Sequence, residues 1–543
     1  VWRFAPPKIH GRQIYNFCQW RGPYARFEAF RSGESLTVLI SGVESVLIVR
    51  MMMKCRISRL AGLSLLPFLL APPGCKTDDN RDNGNQIVPP GGDGDGDGDG
   101  DGDGDGEPTI RFDSGEPNPS GCQGGDSDCS LVDLLFVIDN SGTMGEEQLN
   151  LAKNFPLLVQ QLEALKDAEG NSLNADVNIM VTTSDFGNDL CTPYQKHESE
   201  KGTPIASGCN ERLDRFTGLV TPNPPVHEEA CTDVCETDIV PENGDLFIHF
   251  SPEGDNVPDV SEKDVNGDGI LDGAVAQTLS CIGPQGIDGC GYEAPLENML
   301  QALNPGKPWN EGETPFLRDG ATLAIAIITD EADCSVKDWS IMSDDEFQNL
   351  KPDGGKTPSS AICWNAGVAC DGPDANGEYT NCTAKDDGKL QETSRYIRYL
   401  VEELREKQDK NVVMLGIVGI PEVTDHNEVP PHEPTAGGME DLVYRDWLES
   451  DILPEDAAKG HDAAYQQWSF GIGPGCTALD GDDKPIGQAV PPVRIKEVCE
   501  ALNYEVDGEE VVRCCMESIC GSDFSPAITC LTGVLQDVVA PIG

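Results

Sequence analysis

Asp139, Ser141 and Thr143 stand at alternate positions where the apolar run Val132-Asp-Leu-Leu-Phe-Val-Ile138 breaks into Asp139-Asn-Ser-Gly-Thr-Met144. One carboxylate and two hydroxyls are hard oxygen donors. Mg²⁺ takes such donors in near-octahedral geometry and keeps some of its waters. A loop that brings few charges leaves the ion electron-poor, so it can still accept a carboxylate from outside. Two further oxygen donors follow in similar settings. Glu293 lies in Gly289-Cys-Gly-Tyr-Glu-Ala-Pro-Leu-Glu297, and Asp330 ends the apolar run Ala321-Thr-Leu-Ala-Ile-Ala-Ile-Ile-Thr329. Glu331 and Asp333 come next and either form a second site or face solvent, the latter being the expectation.

The elements that must position these groups can be read from apolar periodicity. Leu131 to Ile138 is short, β-branched and almost uncharged, as a buried strand of a parallel sheet should be. Ala175–Thr183, Ala321–Ile328 and Asn411–Ile420 read in the same way. Ligands of open α/β sheets sit beyond the carboxyl ends of such strands, which is where Asp139 and Asp330 fall. The end of the second strand adds Thr182, Thr183 and Asp185 as candidate rim residues. Between the first two strands, Leu149, Ala152, Phe155, Leu158, Leu162 and Leu165 recur at helical steps, with Glu146 and Glu147 suited to the first turn. Pro156 is expected to kink this helix or shift its register. Leu390–Lys407 is a second amphipathic helix, with Tyr396, Tyr399, Leu400 and Leu404 on one face. Val493–Leu502 and Ser525–Val539 read as the closing helices. Alternating strands and helices give an α/β fold with a doubly wound, mostly parallel sheet. Long cysteine-bearing insertions fall near 186–275, 336–390 and 421–488. One of them contains Asp264-Val-Asn266-Gly-Asp268-Gly-Ile-Leu-Asp272, which spaces oxygens like the first part of an EF-hand-type calcium loop. Val275 stands where that loop needs a bidentate Glu, so a Ca²⁺ site and a plain Asp/Asn/Gly turn both remain open. His426 and His432 flank Pro430-Pro431, which forbids a helix presenting both to one metal, and they read as a surface loop.

The Asp139-x-Ser141-x-Thr143 pattern, after a buried strand and before an amphipathic helix, resembles the metal-ion-dependent adhesion site of von Willebrand factor type A domains. Together with Gly-Tyr-Glu-Ala-Pro-Leu-Glu297 and Ile-Thr-Asp-Glu-Ala-Asp-Cys-Ser335 it is similar to type A lipoproteins of myxobacteria and related δ-proteobacteria. The resemblance covers most of residues 130–541. It implies that Asp139, Ser141 and Thr143 hold Mg²⁺ (or Mn²⁺ or Ca²⁺), that Asp330 assists through water, and that a partner protein's acidic side chain takes the open position. The family usually presents a Thr where this chain has Glu293. Glu293 is then either a ligand, adding negative charge at the ion, or a cap on the helix that follows.

The N-terminal region divides by composition. Residues 1–50 are basic and aromatic and read as an upstream extension. Residues 51–74 carry Lys54, Arg56 and Arg59 before an apolar stretch too short to span a bilayer. They resemble a lipoprotein signal with Cys75 as the lipidated residue, and Lys76 then points to the bacterial outer membrane. Residues 75–108, including a strict Gly-Asp alternation from Gly92 to Gly106, form an acidic tether with nothing to bury. Residues 109–130 lead into the domain at 131–541. The net charge of −56, from 38 basic and 94 acidic residues, argues against nucleic acid and anionic lipid as partners. Of 21 cysteines, all but Cys18, Cys55 and Cys75 lie downstream of the signal, which suits an exported, disulfide-bonded protein. Zinc at Cys231/Cys235 or Cys514/Cys515/Cys520 lacks the C-x-x-C spacing and the histidines it would need.

Three functions follow from these residues. The first is a metal-dependent interaction module, lipid-anchored at the surface or in the periplasm. The second is a structural envelope protein whose metal stabilises the loop. The third is a metal-dependent hydrolase, disfavoured because the strand-end segments offer no nucleophile–base pair and no histidine. The expectation is a non-enzymatic adhesion-type protein.

Overall fold

The computed structural model describes residues 130–539 apart from 167–169, 192–194, 196, 220–223, 480–483 and 507, together with the backbone of five strands within residues 3–52. Those five strands pair antiparallel in sequential order and belong to a unit separate from the rest of the chain. The sequence pattern there suggested no regular element, yet Ser35–Ser41 and Val46–Met52 pair along their full lengths. The signal, Cys75, the acidic tether and the 109–129 lead-in lie outside the described residues.

The main unit is built on a seven-stranded sheet. Its strands in chain order are β1 (Leu131–Ile138), β2 (Asp176–Thr183), β3 (Ile248–Ser251), β4 (Gly254–Asp255), β5 (Thr322–Ile328), β6 (Val412–Val418) and β7 (Cys514–Ser518). Their spatial order is β7-β6-β5-β1-β2-β3-β4. From β7 to β2 every pairing is parallel, and β3 and β4 close one edge antiparallel. The chain winds outward from β1 through β2 to β4, then returns to the other side of β1 at β5. The boundary between β1 and β5 is therefore the topological switch point, where an open α/β sheet leaves a crevice at its carboxyl edge.

Helices cover both faces. On one face lie α1 (Gly145–Glu163), α2 (Ala274–Ile282) and α6 (Ser525–Val539). They pack against Val132, Leu134, Phe136, Ile138, Ala324, Ala326 and Ile328, with Phe136 edge-on to Phe155 at 5.4 Å. On the other face α3 (Pro295–Ala302), α4 (Thr393–Lys407, π-wound from Arg398) and α5 (Val493–Glu500) cover Leu135, Val137, Leu323, Ile325 and Ile327. Successive strand residues thus serve opposite layers, as the two-residue strand period demands. Both layers are apolar, which accounts for the unbroken hydrophobic runs. Among the described residues no helix is long and apolar enough to cross a membrane.

Helix α1 runs unbroken through Pro156. The proline leaves the Ala152 carbonyl without its usual donor, and the Ser280 hydroxyl of α2 donates to that carbonyl at 3.4 Å. Among the described residues eight disulfides form: 191–290, 209–231, 235–281, 334–363, 370–382 and 476–520, which fasten the insertions, and 499–514 and 515–530, which tie β7 to α5 and α6. Each cysteine once weighed as a zinc ligand is consumed in one of them. At the amino end of the sheet Arg318 donates to Asp133 at 2.7 Å and also bonds Asp176, while Lys410 donates to the Ala321 carbonyl at 3.0 Å. This buried ion group is at the opposite end of the strands from Asp139.

Candidate metal centre

Backbone ladders carry the sheet past its strand ends and bring the candidate loops level. The Asp139 amide donates to the Ile328 carbonyl (2.9 Å), the Ser184 amide to Ile138 (3.2 Å) and the Thr329 amide to Ile417 (3.1 Å). The segment before α3 is drawn across these ends. The Ala294 amide donates to Ser184 (2.8 Å), and the Cys334 amide to Glu293 (2.6 Å). Asn298 of α3 adds a side-chain bond to the Ser184 carbonyl at 2.7 Å. Asp139, Glu293 and Asp330, far apart in the chain, thus meet at the switch-point crevice.

The Asp139 loop is braced from below. One carboxylate oxygen accepts the Ser141 amide at 2.7 Å and the other accepts the Thr329 hydroxyl. The Ser141 and Thr143 hydroxyls are 3.4 Å apart, a spacing that two oxygens on one ion can share. Gln148, buried on α1, donates to the carbonyls of Asp139 and Gly286, both at 2.8 Å, and so ties the loop to the 285–289 segment. Gly289 packs so tightly on Asn140 that an added Cβ would lie 2.2 Å from Asn140 Oδ1. Gly142 and Thr143 are exposed, leaving the centre open on that side.

Among the described residues, no cationic side chain bonds the acids of the crevice. Asp139 is fully buried, and loss of hydration pushes its pKa up to about 6, against the hydrogen bonds from Thr329 and Ser141. Burial drives Glu293 and Asp330 well above the usual carboxylate range, and the Asp139 charge adds to both. Glu147 is pushed up to about 7 and Glu331 to about 8, again first by burial. Glu293 Oε2 accepts the Ser184 hydroxyl at 2.5 Å, but Glu293 Oε1, Asp330 Oδ1 and Glu147 Oε2 are buried with no hydrogen-bond partner. Buried carboxylates are ordinarily paired or bound to metal. The donor set, carboxylates plus two hydroxyls with no sulfur or imidazole, fits a hard divalent cation.

Several residues fall differently from the sequence reading. Glu293 does not cap α3; the cap position is Ala294, and the Glu293 carboxylate turns to Ser184. The Thr182 and Thr183 hydroxyls are engaged elsewhere, donating to the Thr203 carbonyl and to Glu200 at 2.9 Å each. Asp185 takes the Gly187 amide and Gln195, though its charge still raises Asp139 and Glu293. Asp333, expected in solvent, is 2% exposed and accepts from Arg494 at 2.9 Å. Glu331 is partly buried beside the centre. Thr329, Ser184 and Gln148 were missed. The triplet Thr329-Asp330-Glu331 did signal a hydroxyl at the strand end, whereas Gln148 and Ser184 are ordinary residues until the loops are assembled.

At the candidate calcium loop, Asp264 accepts the Gly267 and Gly269 amides at 2.7 and 3.0 Å, and Asp268 accepts Ile270 at 2.6 Å. Asn266 Oδ1 accepts the Asp268 amide at 3.1 Å. Asp272 turns onto the Val265 amide at 2.9 Å. His426 pairs with Glu517 at 2.7 Å, while His432 bonds the Asn427 carbonyl. Among the described residues the one trio of His, Cys, Asp or Glu ligand atoms within 4.8 Å is Cys209, Cys235 and Asp238, and both sulfurs there are in disulfides. Asp139, Glu293 and Asp330 are thus spread wider than three direct ligands of one ion would be.

No protein-family model, no curated protein and no solved structure matches the chain.

Proposed function

We propose that this protein is a type A-like, metal-dependent interaction module. Asp139, Ser141 and Thr143 would hold Mg²⁺, or Mn²⁺ or Ca²⁺ in its place, with Glu293 as the neighbouring carboxylate and Asp330 acting through water. The ion would supply a Lewis-acidic position for an acidic side chain of a protein partner. The observation that carries the reading is the convergence at the β1/β5 crevice of three buried carboxylates, two of them with orphaned oxygens, beside paired hydroxyls and, among the described residues, with no cationic side chain bonded to any of them. Sheet order supports it too, because the switch point is where such folds bind ligands. A lipid anchor at Cys75, outer-membrane residence and a Ca²⁺ at Asp264, Asn266, Asp268 and Asp272 belong to the same proposal.

A stabilising metal is the second reading, and the complete burial of Asp139 and Glu293 favours it. The two separate by linkage, since a ligand that binds the ion must tighten the ion's own binding. Mg²⁺ is titrated into the intact chain with and without excess of an Asp-bearing peptide. The interaction reading expects tighter Mg²⁺ binding with the peptide, lost in Asp139→Ala; the stabilising reading expects no change.

A further inference from the structure

We infer that His197 and Asp288 form a second metal site, for a borderline divalent transition ion of the Zn²⁺ class, distinct from the hard-oxygen centre and independent of it. The two residues are 91 positions apart in the chain and are brought together beside the Cys191–Cys290 disulfide. Asp288 is fully buried and neither of its carboxylate oxygens has a hydrogen-bond partner. The His197 side chain is 8% exposed, and neither ring nitrogen has one either. Four orphaned polar atoms on two touching buried side chains call for an occupant.

The distance between them says which kind. His197 Nδ1 is 3.4 Å from Asp288 Oδ1. A good N–H···O bond is about 2.7–3.2 Å. Two donors on one tetrahedral ion, each bound at about 2.0–2.2 Å, are about 3.4 Å apart. Imidazole with carboxylate suits Zn²⁺ and its neighbours rather than Mg²⁺. Asp288 can offer both oxygens, and waters complete the shell.

His197 Nε2 is 3.8 Å from Glu200 Oε2. Glu200 is itself held by Arg215 at 2.8 Å and by the Thr183 hydroxyl at 2.9 Å. At 3.8 Å His197 and Glu200 are not hydrogen-bonded, and Glu200 is the carboxylate on the far side of the ring from Asp288. Asn140, also buried with orphaned side-chain atoms, packs on Gly289 next to Asp288.

The test uses the full, disulfide-intact chain in saturating Mg²⁺, with Co²⁺ as a spectroscopic probe. One equivalent of Co²⁺ should give visible d–d absorption that Zn²⁺ removes. His197→Gln and Asp288→Asn should abolish it, and Asp139→Ala should leave it unchanged. Persistence of the absorption in His197→Gln would overturn the assignment, as would its absence from the parent chain. Should the variants fail to fold, X-ray absorption at the cobalt edge of the parent decides: one imidazole nitrogen among oxygen neighbours supports the site, and a shell of oxygen alone refutes it.

Discussion

Five carboxylates, Asp139, Glu147, Glu293, Asp330 and Glu331, share the carboxyl edge of the sheet, and burial raises all five. An acid whose folded pKa exceeds its unfolded one holds more protons folded than unfolded, so the fold weakens as pH rises between the two values. For Asp139, Glu147 and Glu331 those upper limits are about 6, 7 and 8. In chelator, Asp139→Asn should therefore gain thermal stability relative to the parent as pH rises through about 6, with little difference near pH 4. Mg²⁺ should stabilise the parent increasingly toward neutral pH and leave Asp139→Asn unmoved. Melting temperatures at several pH values, with chelator and with Mg²⁺, check both statements; a pH-independent gap would contradict the electrostatic account. The roles proposed for Asp139, Ser141 and Thr143 were suggested by residue type and position, and that proposed for Asp330 by the resemblance to type A domains. Those of Thr329 and Ser184 were not, because a hydroxyl acquires meaning only from what faces it.

Strands β1, β2, β5 and β6 were legible in the sequence because parallel strands buried on both faces leave apolar runs that little else produces. The rest of the sheet was hidden for identifiable reasons. The strand β7, Cys-Cys-Met-Glu-Ser518, looks like a disulfide knot, and β3 and β4 are too short to show a pattern. Helix α2 is buried from Val275 to Ile282, so it has no polar stripe to mark its period. Two predictions belong to these elements. Arg318 neutralises Asp133 and Asp176 inside the sheet. Arg318→Met strands those charges and should cost about 3–5 kcal/mol in denaturant unfolding. Gly289→Ala drives a methyl into Asn140 and should cost about 1–3 kcal/mol. Because it pushes directly on the residue after Asp139, it should also weaken Mg²⁺ binding, which a titration of the folded variant reads. Unaltered affinity would mean that the 285–289 segment does not hold the loop.

Across the whole molecule, crosslinks take over where the core ends. The insertions carry only small apolar clusters of their own, each built partly on a disulfide or beside one. Cys191–Cys290 spans 99 residues and pins the segment leading to Glu293, whereas Cys370–Cys382 closes only 12 within one lobe. Constraint of the unfolded chain grows with loop length, so replacing the first pair by serines should cost more than replacing the second, by about 1–2 kcal/mol. The first replacement alone should impair metal binding. Equal effects on both would place the crevice outside the control of the 186–290 insertion.

The most direct test of the metal centre is calorimetric titration of Mg²⁺ into the full, disulfide-intact chain, run in parallel on Asp139→Ala and Asp268→Ala. The account predicts a binding event in the parent that persists in Asp268→Ala and vanishes in Asp139→Ala, with both variants folded. An event that survives Asp139→Ala, or no event in the parent, would contradict it.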